Sequence, residues 1–541
     1  MSLRNRIFLP VILSAFGGLL GCGGNGVSIT EPTPPPTGGF SPSNLNGTYV
    51  FSSSGSDTNG FAYAIVGTFS ANGSGGITSG VLDLNDAGFP ASNPVISPVA
   101  NSSITGGSYT LGVDGRGQIK LNNRTPFSSP IILDFVLQDS THGLVTEFDG
   151  NASGSGSLDL QASGATPTGS YAFIFSGAYG SGFLATVGNL TLNGAAMSGL
   201  QDLNSQGIAY PAETLTGAFA LGPSSTPATQ MSSAPSGSNP NFNITYDVVA
   251  IDATHLKFIE MDSNGTLSGD AFAQSSTALP TGALAFTLIG STTTSVIGAG
   301  GFMVTDGSGN ITNASTEDVN NTGSVSASFI NFSGVYTAGG AGRYILSLAN
   351  FIGGTQYAAY PSNGGVLLLE MDNAGMMAGA AYPQTAGATL DASQGYAMNL
   401  SGINLGLSTG QSAEVDDIAE FATASSGGTL TGVTDENFAP GSSPIYAVAL
   451  SGNYNTPDSN GRGQLGANAG NSTTTTLNGG FNLTYYAVDG TTFPFIETDN
   501  GQVAAGVFVK QNSSASSSAA TRSHMYVLPP MVRPRIARKQ K

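Results

Sequence analysis

The feature that most constrains this chain is a fourfold internal repeat. Similar openings stand at four places, with the sequences LNGTYVFSSSG at 45, TGSYAFIFSG at 168, TGALAFTLIG at 281 and SQGYAMNLSG at 393. Their first glycines, Gly47, Gly169, Gly282 and Gly395, are spaced by 122, 113 and 113 residues. Solenoid repeats are only about 20–50 residues long, so each of these longer copies is predicted to be a domain with its own core.

Three further landmarks recur in the same order in every copy, namely an Asp-x-Asn motif, a Glu-x-Asp motif that runs into a Gly/Asn turn, and a closing glutamine. The Asp-x-Asn pairs are Asp83/Asn85, Asp202/Asn204, Asp318/Asn320 and Asp435/Asn437. The Glu-x-Asp pairs are Glu147/Asp149, Glu260/Asp262, Glu370/Asp372 and Glu497/Asp499. The closing glutamines are Gln161, Gln274, Gln384 and Gln511. These landmarks assign the repeats to residues 45–161, 168–274, 281–384 and 393–511.

Composition indicates an all-β fold. Only 9% of the residues are charged, against about 25% in an average soluble protein, so the common helix formers Lys, Glu and Arg are scarce. The first repeat contains about eight strand-like segments separated by hairpin turns such as NDAG and DGRG. Consecutive hairpins predict an eight-strand antiparallel meander closed into an up-and-down barrel in each repeat. A β-sandwich and an outer-membrane barrel are the alternatives.

The first residues have the pattern of a secretory signal. Arg4 and Arg6 precede an apolar stretch at 7–20, which ends in Leu19-Leu20-Gly21-Cys22. This segment resembles the signal of bacterial lipoproteins. The resemblance implies cleavage of residues 1–21 and acylation of Cys22, with palmitate-like chains that anchor the protein in a membrane. Cys22 is also the only cysteine, and Gly23 after it favours the outer membrane.

The segments on either side of the repeats differ from them in composition. Residues 22–44 are rich in Pro and Gly and are predicted to be a tether. Residues 512–541 are predicted to be a disordered tail, in which 522–541 hold six basic residues. This tail could contact anionic headgroups, envelope polymer or the acidic body. From 22 to 521 the chain has 33 acidic and 7 basic residues, net −26, which argues against a nucleic-acid partner.

The sequence predicts no catalytic site, and the protein is therefore not expected to be an enzyme. His142 and His255 occupy equivalent turns, where we expect them to donate to a nearby carbonyl. Ser408 lies in a Gly-x-Ser-x-Gly pattern, but the only histidine after it is His524 in the tail, so the pattern does not fit a nucleophile elbow. The Glu-x-Asp pairs have a spacing compatible with glycosidase carboxylates, yet each Asp begins a turn and is expected to cap backbone N–H groups.

A calcium site is the other interpretation of the acidic landmarks. In an eight-strand meander the third and seventh turns lie at one end, so Asp83, Asn85, Glu147 and Asp149 are expected to converge and are weak Ca²⁺ ligand candidates. Their counterparts include Glu260/Asp262, Glu370/Asp372 and Glu497/Asp499. Turn formation is the favoured role, and no cofactor is predicted.

Basic residues are rare, which makes a repeated arginine informative. It occurs in three copies, as Arg116, Arg343 and Arg462. Each enters the fifth strand, at the end opposite the acidic motifs of its own repeat. We therefore expect each arginine to pair with a carboxylate or a carbonyl in a structural role, and not to neutralise the charge of the acidic motifs.

The preferred functional hypothesis is a lipid-anchored, non-enzymatic envelope protein, in which a tethered rod of β-domains contacts envelope polymer or a surface partner. The alternative is a carrier that binds small apolar ligands inside the barrels. Filled barrel interiors would argue against a carrier.

Overall fold

The computed structural model describes residues 39–88, 98–123, 130–180, 182–222, 229–234, 242–292, 295–322, 324–405, 413–439, 444–469 and 480–514. These residues form four closed antiparallel barrels of eight strands each. The predicted eight-strand meander closed into a barrel is thus confirmed, and the β-sandwich alternative is wrong. Within the described part of the chain, helix is confined to the 3₁₀ turn Pro42–Asn44, and no helix is long and apolar enough to cross a membrane.

The strands follow one another around each barrel in chain order. Barrel 1 consists of β1 (Asn46–Asp57), β2 (Ala62–Asn72), β3 (Gly76–Asp86), β4 (Val99–Leu111), β5 (Arg116–Asn123), β6 (Ile131–Leu137), β7 (His142–Glu147) and β8 (Ala152–Leu160). Barrel 2 consists of β9 (Gly169–Tyr179), β10 (Gly182–Asn193), β11 (Ala196–Ser205), β12 (Ile208–Ala218), β13 (Thr229–Ala234), β14 (Asn243–Ala250), β15 (His255–Glu260) and β16 (Gly265–Ala273).

The second half of the chain repeats this order. Barrel 3 consists of β17 (Gly282–Thr292), β18 (Val296–Thr305), β19 (Asn310–Asn321), β20 (Ser324–Gly340), β21 (Arg343–Ala349), β22 (Gln356–Ser362), β23 (Gly365–Glu370) and β24 (Gly375–Pro383). Barrel 4 consists of β25 (Gly395–Asn404), β26 (Ala413–Thr423), β27 (Thr429–Ala439), β28 (Ile445–Tyr454), β29 (Arg462–Ala469), β30 (Phe481–Tyr486), β31 (Thr492–Glu497) and β32 (Gln502–Lys510).

Alternate side chains fill the interior of each barrel, because successive residues of a strand point to opposite faces. In barrel 1, Tyr49 and Phe51 of β1 point inward and are 0% exposed. Gly67 faces the ring of Phe51, and a Cβ there would lie 2.8 Å from it, so glycine makes room for the aromatic layer. Every barrel has a buried apolar cluster of this kind, and the four clusters are separate.

The outward faces of many strands are also buried. The seventh strands β7, β15, β23 and β31 are buried at every position, whereas a strand with one solvated face would alternate. The fourth strands β4, β12 and β28 do expose much of one face. Each barrel is therefore covered on some sides by neighbours and open to solvent on another.

The neighbours form a closed ring. The second strand of each barrel packs against late strands of the next: β2 on β15 and β16, β10 on β22 and β23, β18 on β30 to β32, and β26 on β6 to β8. The last of these contacts returns from barrel 4 to barrel 1. The contact surfaces are heterologous, and here such surfaces close after four copies. The expected rod of separate domains is wrong, because outward apolar side chains such as Val66 and Ile259 bury themselves between barrels.

We name the four interfaces junctions 1–2, 2–3, 3–4 and 4–1, after the barrels that they join. Strand direction also gives the ring two faces. The linker face carries the connections between barrels and the turns after every second strand, and the distal face carries the Glu-x-Asp turns that follow the seventh strands.

Candidate functional site

The Asp-x-Asn motif of each barrel lies at a junction, where its asparagine binds the next barrel. Asn85 Nδ2 donates to Glu260 O at 2.7 Å and to Gly265 O at 2.8 Å. These two carbonyls flank the Glu-x-Asp turn of barrel 2. The same bonds recur around the ring, from Asn204 to Glu370 and Gly375, from Asn320 to Glu497 and Gln502, and from Asn437 to Glu147 and Ala152. We call this contact the asparagine lock.

The asparagine lock corrects the expected calcium cluster. The third and seventh turns of barrel 1 do lie at one end, but the side chain of Asn85 points outward to barrel 2, whereas Glu147 points into barrel 1 and accepts from Tyr63 Oη at 3.2 Å. Asp83 lies beside Asp247 of barrel 2 and not beside Glu147 or Asp149. Among the described residues no group of three or more His, Cys, Asp or Glu is placed to hold a metal ion.

The glutamates of the Glu-x-Asp motifs are buried at the distal ends of the barrel interiors. Burial raises the pKa of Glu370 to about 9, with Asp372 adding to the effect, and raises the pKa values of Glu147, Glu260 and Glu497 well above their ordinary range. Glu370 is therefore neutral at pH 7. A neutral carboxyl sealed inside a barrel has no access to a substrate.

The aspartates of the same motifs accept from turn amides. Asp149 Oδ1 accepts from Asn151 N at 2.8 Å, and Asp262 Oδ1 accepts from Asn264 N at 2.8 Å. Asp372 and Asp499 make the same contact to Ala374 N and Gly501 N. A glycosidase pair needs two carboxyls facing one sugar, and here one carboxyl is buried and the other holds a turn.

The aspartate of each Asp-x-Asn motif anchors a kink in the fourth strand of its own barrel. Its Oδ1 accepts from the N–H of a residue with left-handed φ, at 2.6–3.1 Å in all four copies. These residues are Asn101 (φ 53°), Ala212 (φ 56°), Phe329 (φ 66°) and Ala447 (φ 51°). Such a conformation is unfavourable for residues other than glycine, so the aspartate bond stabilises it.

The carboxylate of that aspartate also faces the next barrel, and at two junctions both of its oxygens accept from an arginine. Arg343 of barrel 3 binds Asp202 of barrel 2 through two bonds of 2.6 Å. Arg462 of barrel 4 binds Asp318 of barrel 3 at 2.8 and 2.7 Å. These bidentate pairs fit the planar guanidinium.

Two tyrosines complete these pairs. Tyr360 Oη donates to Asp202 at 2.6 Å, and Tyr486 Oη donates to Asp318 at 2.9 Å. Burial lowers the pKa of Arg343, but the Asp202 carboxylate more than offsets it, so the pKa lies above its usual value. The expectation that arginine would not compensate these acids is wrong, because the arginine comes from the following barrel and not from the opposite end of the same one.

Junction 4–1 has a weaker version of this pair. Arg116 Nε lies 3.0 Å from Asp114 of its own turn, and Arg116 Nη1 lies 3.4 Å from Asp435 of barrel 4. A second acid, Asp134, accepts from Gln118 Nε2 at 2.9 Å. The guanidinium is thus shared between two carboxylates in two barrels.

Junction 1–2 carries no arginine at this position in the sequence of barrel 2. Asp83 is 0% exposed, and the Asp247 carboxyl of barrel 2 lies near enough to act on it electrostatically. Burial raises the pKa of Asp83 to about 8, and Asp247 adds to the rise. Two acids therefore face each other where the other junctions place a cation.

The two predicted turn histidines also lie near junction 1–2, and both bind carboxylates. His142 Nδ1 lies 2.6 Å from Asp159 Oδ1, and His255 Nε2 lies 2.6 Å from Asp270 Oδ1. Lys257 Nζ is 2.7 Å from the same oxygen of Asp270. The expectation that the histidines donate to carbonyls is wrong for these ring nitrogens. The equivalent positions of His142 and His255 were visible in the sequence. Their partners Asp159 and Asp270 do not lie at equivalent positions of the two repeats, so no sequence signal pointed to them.

These groups interact across the junction. Burial raises the pKa of Asp159, but the adjacent His142, with Lys257 and His255 of barrel 2, outweighs it and holds the pKa below its usual value. Ser157 Oγ donates to Asp159 at 2.6 Å and not to a histidine, so the set lacks the nucleophile–base contact of a hydrolase.

A small cleft opens beside this network, between barrels 1 and 2. Its volume is about 50 Å³, and its walls include the serines Ser52, Ser54, Ser176 and Ser268 together with the Lys257–Asp270 pair. Such a volume accommodates about three or four water molecules. It is much smaller than a ligand pocket of roughly 300 Å³ or more.

The closing glutamines join the barrels at the linker face. Each donates its amide to a backbone carbonyl of the next barrel, Gln161 to Ala250, Gln274 to Pro361, Gln384 to Ala487 and Gln511 to Leu137, at 2.6–2.9 Å. Gln511 and the neighbouring bond from Asn512 N to Gln138 O connect barrel 4 to barrel 1, which no linker joins.

Several residues singled out in the sequence lie outside the described residues. They are Cys22 with the rest of the signal and most of the tether, Ser408, and His524 with the basic tail.

No family model matches the sequence, and no curated protein matches it. Among solved structures, the chain is similar to transferrin binding protein B. The isotype 1 protein from serogroup B Neisseria meningitidis is 11% identical, with 69% of this chain and 82% of that chain covered and a TM-score of 0.20. A double mutant from Haemophilus parasuis is 10% identical, with 69% and 83% covered and a TM-score of 0.19. The intact Ap-TbpB, with N and C lobes, is 10% identical, with 70% and 86% covered and a TM-score of 0.17. At these scores the likeness assigns no function to this chain.

Proposed function

We propose that the protein is a lipid-anchored, non-enzymatic component of the bacterial outer membrane. Its four-barrel ring would be a rigid platform for loops that contact a surface polymer or partner. The observation that carries this proposal is that both ends of the described chain leave the ring at the linker face, whereas the two longest connections within a barrel lie at the distal face.

The attachment of the tether follows from contacts at the start of barrel 1. Phe40 N donates to Val113 O, in the turn between β4 and β5, at 3.1 Å. Asn44 Nδ2 donates to Ser513 O at 3.1 Å, so the first and the last described residues are adjacent. The tether and the basic tail therefore both begin at the linker face. Anchored through Cys22, the ring would turn this face to the membrane, where basic residues are attracted to anionic headgroups.

The distal face carries longer connections. Twelve residues separate Asp86 of β3 from Val99 of β4, and eleven separate Ala469 of β29 from Phe481 of β30. At the linker face only three separate Asn72 of β2 from Gly76 of β3, and the ten residues between β12 and β13 are the exception there. Loops of variable length on a rigid scaffold are the usual carriers of binding specificity. The strongly acidic body favours a neutral or basic partner over an anionic polymer.

The packed interiors argue against the carrier alternative. In barrel 4, Tyr396, Phe421, Phe493 and Phe508 contact one another within ring-centroid distances of 5.0–6.0 Å and are at most 1% exposed. The interiors of the other three barrels are filled by equivalent clusters of described residues. A ligand would have to displace these side chains.

The anchor is tested by mass spectrometry of the membrane fraction. We expect an acylated Cys22 as the first residue, and we expect the Cys22→Ser variant to lose the lipid. An unmodified protein recovered in the soluble fraction would refute the anchor.

The platform is tested by loop replacement in the full chain. Replacing residues 470–479 with a short Gly/Ser turn should reduce co-sedimentation with neutral polysaccharide isolated from the cell surface. The matched control replaces residues 223–228 at the linker face and should leave binding unchanged. If both variants sediment with the polysaccharide as the parent protein does, this distal loop is not the contact surface.

A further inference from the structure

The four junctions place acidic side chains at two equivalent positions, which allows a direct comparison. The first position is the aspartate of the Asp-x-Asn motif. The second lies on the sixth strand of the next barrel, one residue after the residue that pairs with the Glu-x-Asp glutamate. This second position is Asp247 at junction 1–2, Ala358 at junction 2–3, Thr484 at junction 3–4 and Asp134 at junction 4–1.

The first aspartate binds a cationic side chain at three of the four junctions. Asp202 and Asp318 hold guanidinium groups at 2.6–2.8 Å, and Asp435 has one at 3.4 Å. Junction 4–1 has acids at both positions; Arg116 lies 3.4 Å from the first, Asp435, and Gln118 donates to the second, Asp134. The site therefore accommodates a positive charge at these three junctions.

Junction 1–2 has both acids and no arginine. Asp83 and Asp247 are 0% and 2% exposed. Among the described residues, Asp83 Oδ2 has no hydrogen-bond partner, since the Asn101 amide binds Oδ1, and the negative charge of Asp247 acts on the Asp83 carboxyl. A buried carboxylate oxygen that faces a second carboxyl needs either a shared proton or a cation.

We propose that junction 1–2 binds a divalent cation of the size of Ca²⁺ between the carboxylates of Asp83 and Asp247, in the place that an arginine occupies at the other junctions. This site is new relative to the Asp83/Asn85/Glu147/Asp149 cluster, because its second acid comes from the next barrel. It does not depend on the proposed platform function. Hard oxygen ligands suit Ca²⁺, with backbone carbonyls and water completing the shell.

The chemistry of the pair sets the expected affinity and pH dependence. Two carboxylates are few for a calcium site, so binding is expected in the range of about 0.1–1 mM that is typical of extracellular modules. When the cation binds, the proton shared by the two acids leaves to solvent, so affinity should increase with pH. The cation then joins barrel 1 to barrel 2 and stabilises the ring.

The test is thermal unfolding of the full chain in detergent, at pH 7.5 or thereabouts, with EDTA or with about 1 mM Ca²⁺. We expect Ca²⁺ to raise Tm by roughly 2–4 °C, because it binds only the folded junction, and NaCl of equal ionic strength to have no such effect. Calorimetric titration should show binding accompanied by proton release.

Two variants decide the location. Asp247→Asn removes one ligand and should abolish the Ca²⁺-dependent shift, without unfolding the ring because it also removes a like charge. Asp134→Asn is the matched control at junction 4–1 and should keep the full shift. The proposal is overturned if the parent protein shows no shift, if Asp247→Asn keeps it, or if Ca²⁺ has no effect while Asp247→Asn raises Tm at alkaline pH, which would mean that the pair holds only a proton.

Discussion

Junctions 2–3 and 1–2 join copies of the same domain in the same geometry, yet different side chains stabilise them. Junction 2–3 buries fourteen apolar residues in one cluster and adds the bidentate Arg343–Asp202 pair. Junction 1–2 buries seven apolar residues, and at the equivalent position it opposes Asp83 to Asp247. Its basic side chains, His142, His255 and Lys257, bind other aspartates instead.

The comparison separates what sets the geometry of a junction from what sets its strength. The asparagine lock and the closing glutamine occur at all four junctions and bind backbone carbonyls, so they fix the orientation of one barrel on the next whatever the side chains are. The charged and apolar contacts differ from junction to junction. They therefore determine how firmly each pair of barrels is held, and barrel 1 has the weaker contacts on both sides.

The largest effect is expected from breaking the arginine pair at junction 2–3. Arg343→Met leaves Asp202, which is 0% exposed, without its cation, and removing one partner of a buried ion pair costs about 3–5 kcal/mol. Arg116→Met should cost less, because the contact of Arg116 to Asp435 across junction 4–1 is 3.4 Å long and monodentate. Urea unfolding followed by tyrosine fluorescence measures both. Equal losses would contradict the ranking of the junctions.

The second effect is a pH dependence specific to junction 1–2. The pKa of Asp83 is raised to about 8 by burial and by Asp247, so its favourable contribution is complete below about pH 4 and declines as the pH rises towards 8. Asp83→Asn removes this decline and should stabilise the protein by on the order of 2 kcal/mol at about pH 9 in EDTA, relative to its effect at about pH 5.

The matched variant is Asp318→Asn at junction 3–4, which loses the Arg462 pair and should destabilise the protein at both pH values. The difference in unfolding free energy between each variant and the parent is measured across the pH range. A difference for Asp83→Asn that does not change with pH would show that Asp83 is not the titrating group.

The smallest effect should be the same at both junctions. Asn204→Ala and Asn85→Ala each remove two hydrogen bonds to carbonyls of the next barrel, which costs about 1–2 kcal/mol. Urea unfolding of the two variants tests whether the lock contributes equally. A loss at junction 2–3 with none at junction 1–2 would mean that the lock does not set a common geometry.

The individual barrel was predictable because its determinants are local. The spacing of Gly47, Gly169 and the later openings marks four copies, and hairpin turns between short strands favour a meander. Eight strands in that order close into a barrel, which the structure confirms. The lipid anchor at Cys22 rests on the sequence alone, since that residue lies outside the described part of the chain.

The role of the landmarks was not predictable, because each of them acts between copies. Asn85, Arg343 and Gln161 looked like features of one repeat, and reasoning within one repeat placed the arginine far from the acids. A repeat in sequence does not reveal whether a conserved spacing serves a site inside the domain or the contact between domains.

The sequence by itself determined four all-β domains, their strand order and their acidic character, since these depend on composition, turn residues and period. Only the tertiary structure decided that the domains close into a ring and that acids and arginines from different barrels meet. The physical reason is that the outward side chains of a barrel strand are apolar where another barrel covers them and polar where solvent does. Which surface covers a strand depends on the rotation between successive barrels. That rotation is set by contacts between residues far apart in the chain, such as Arg343 and Asp202, which are 141 positions apart.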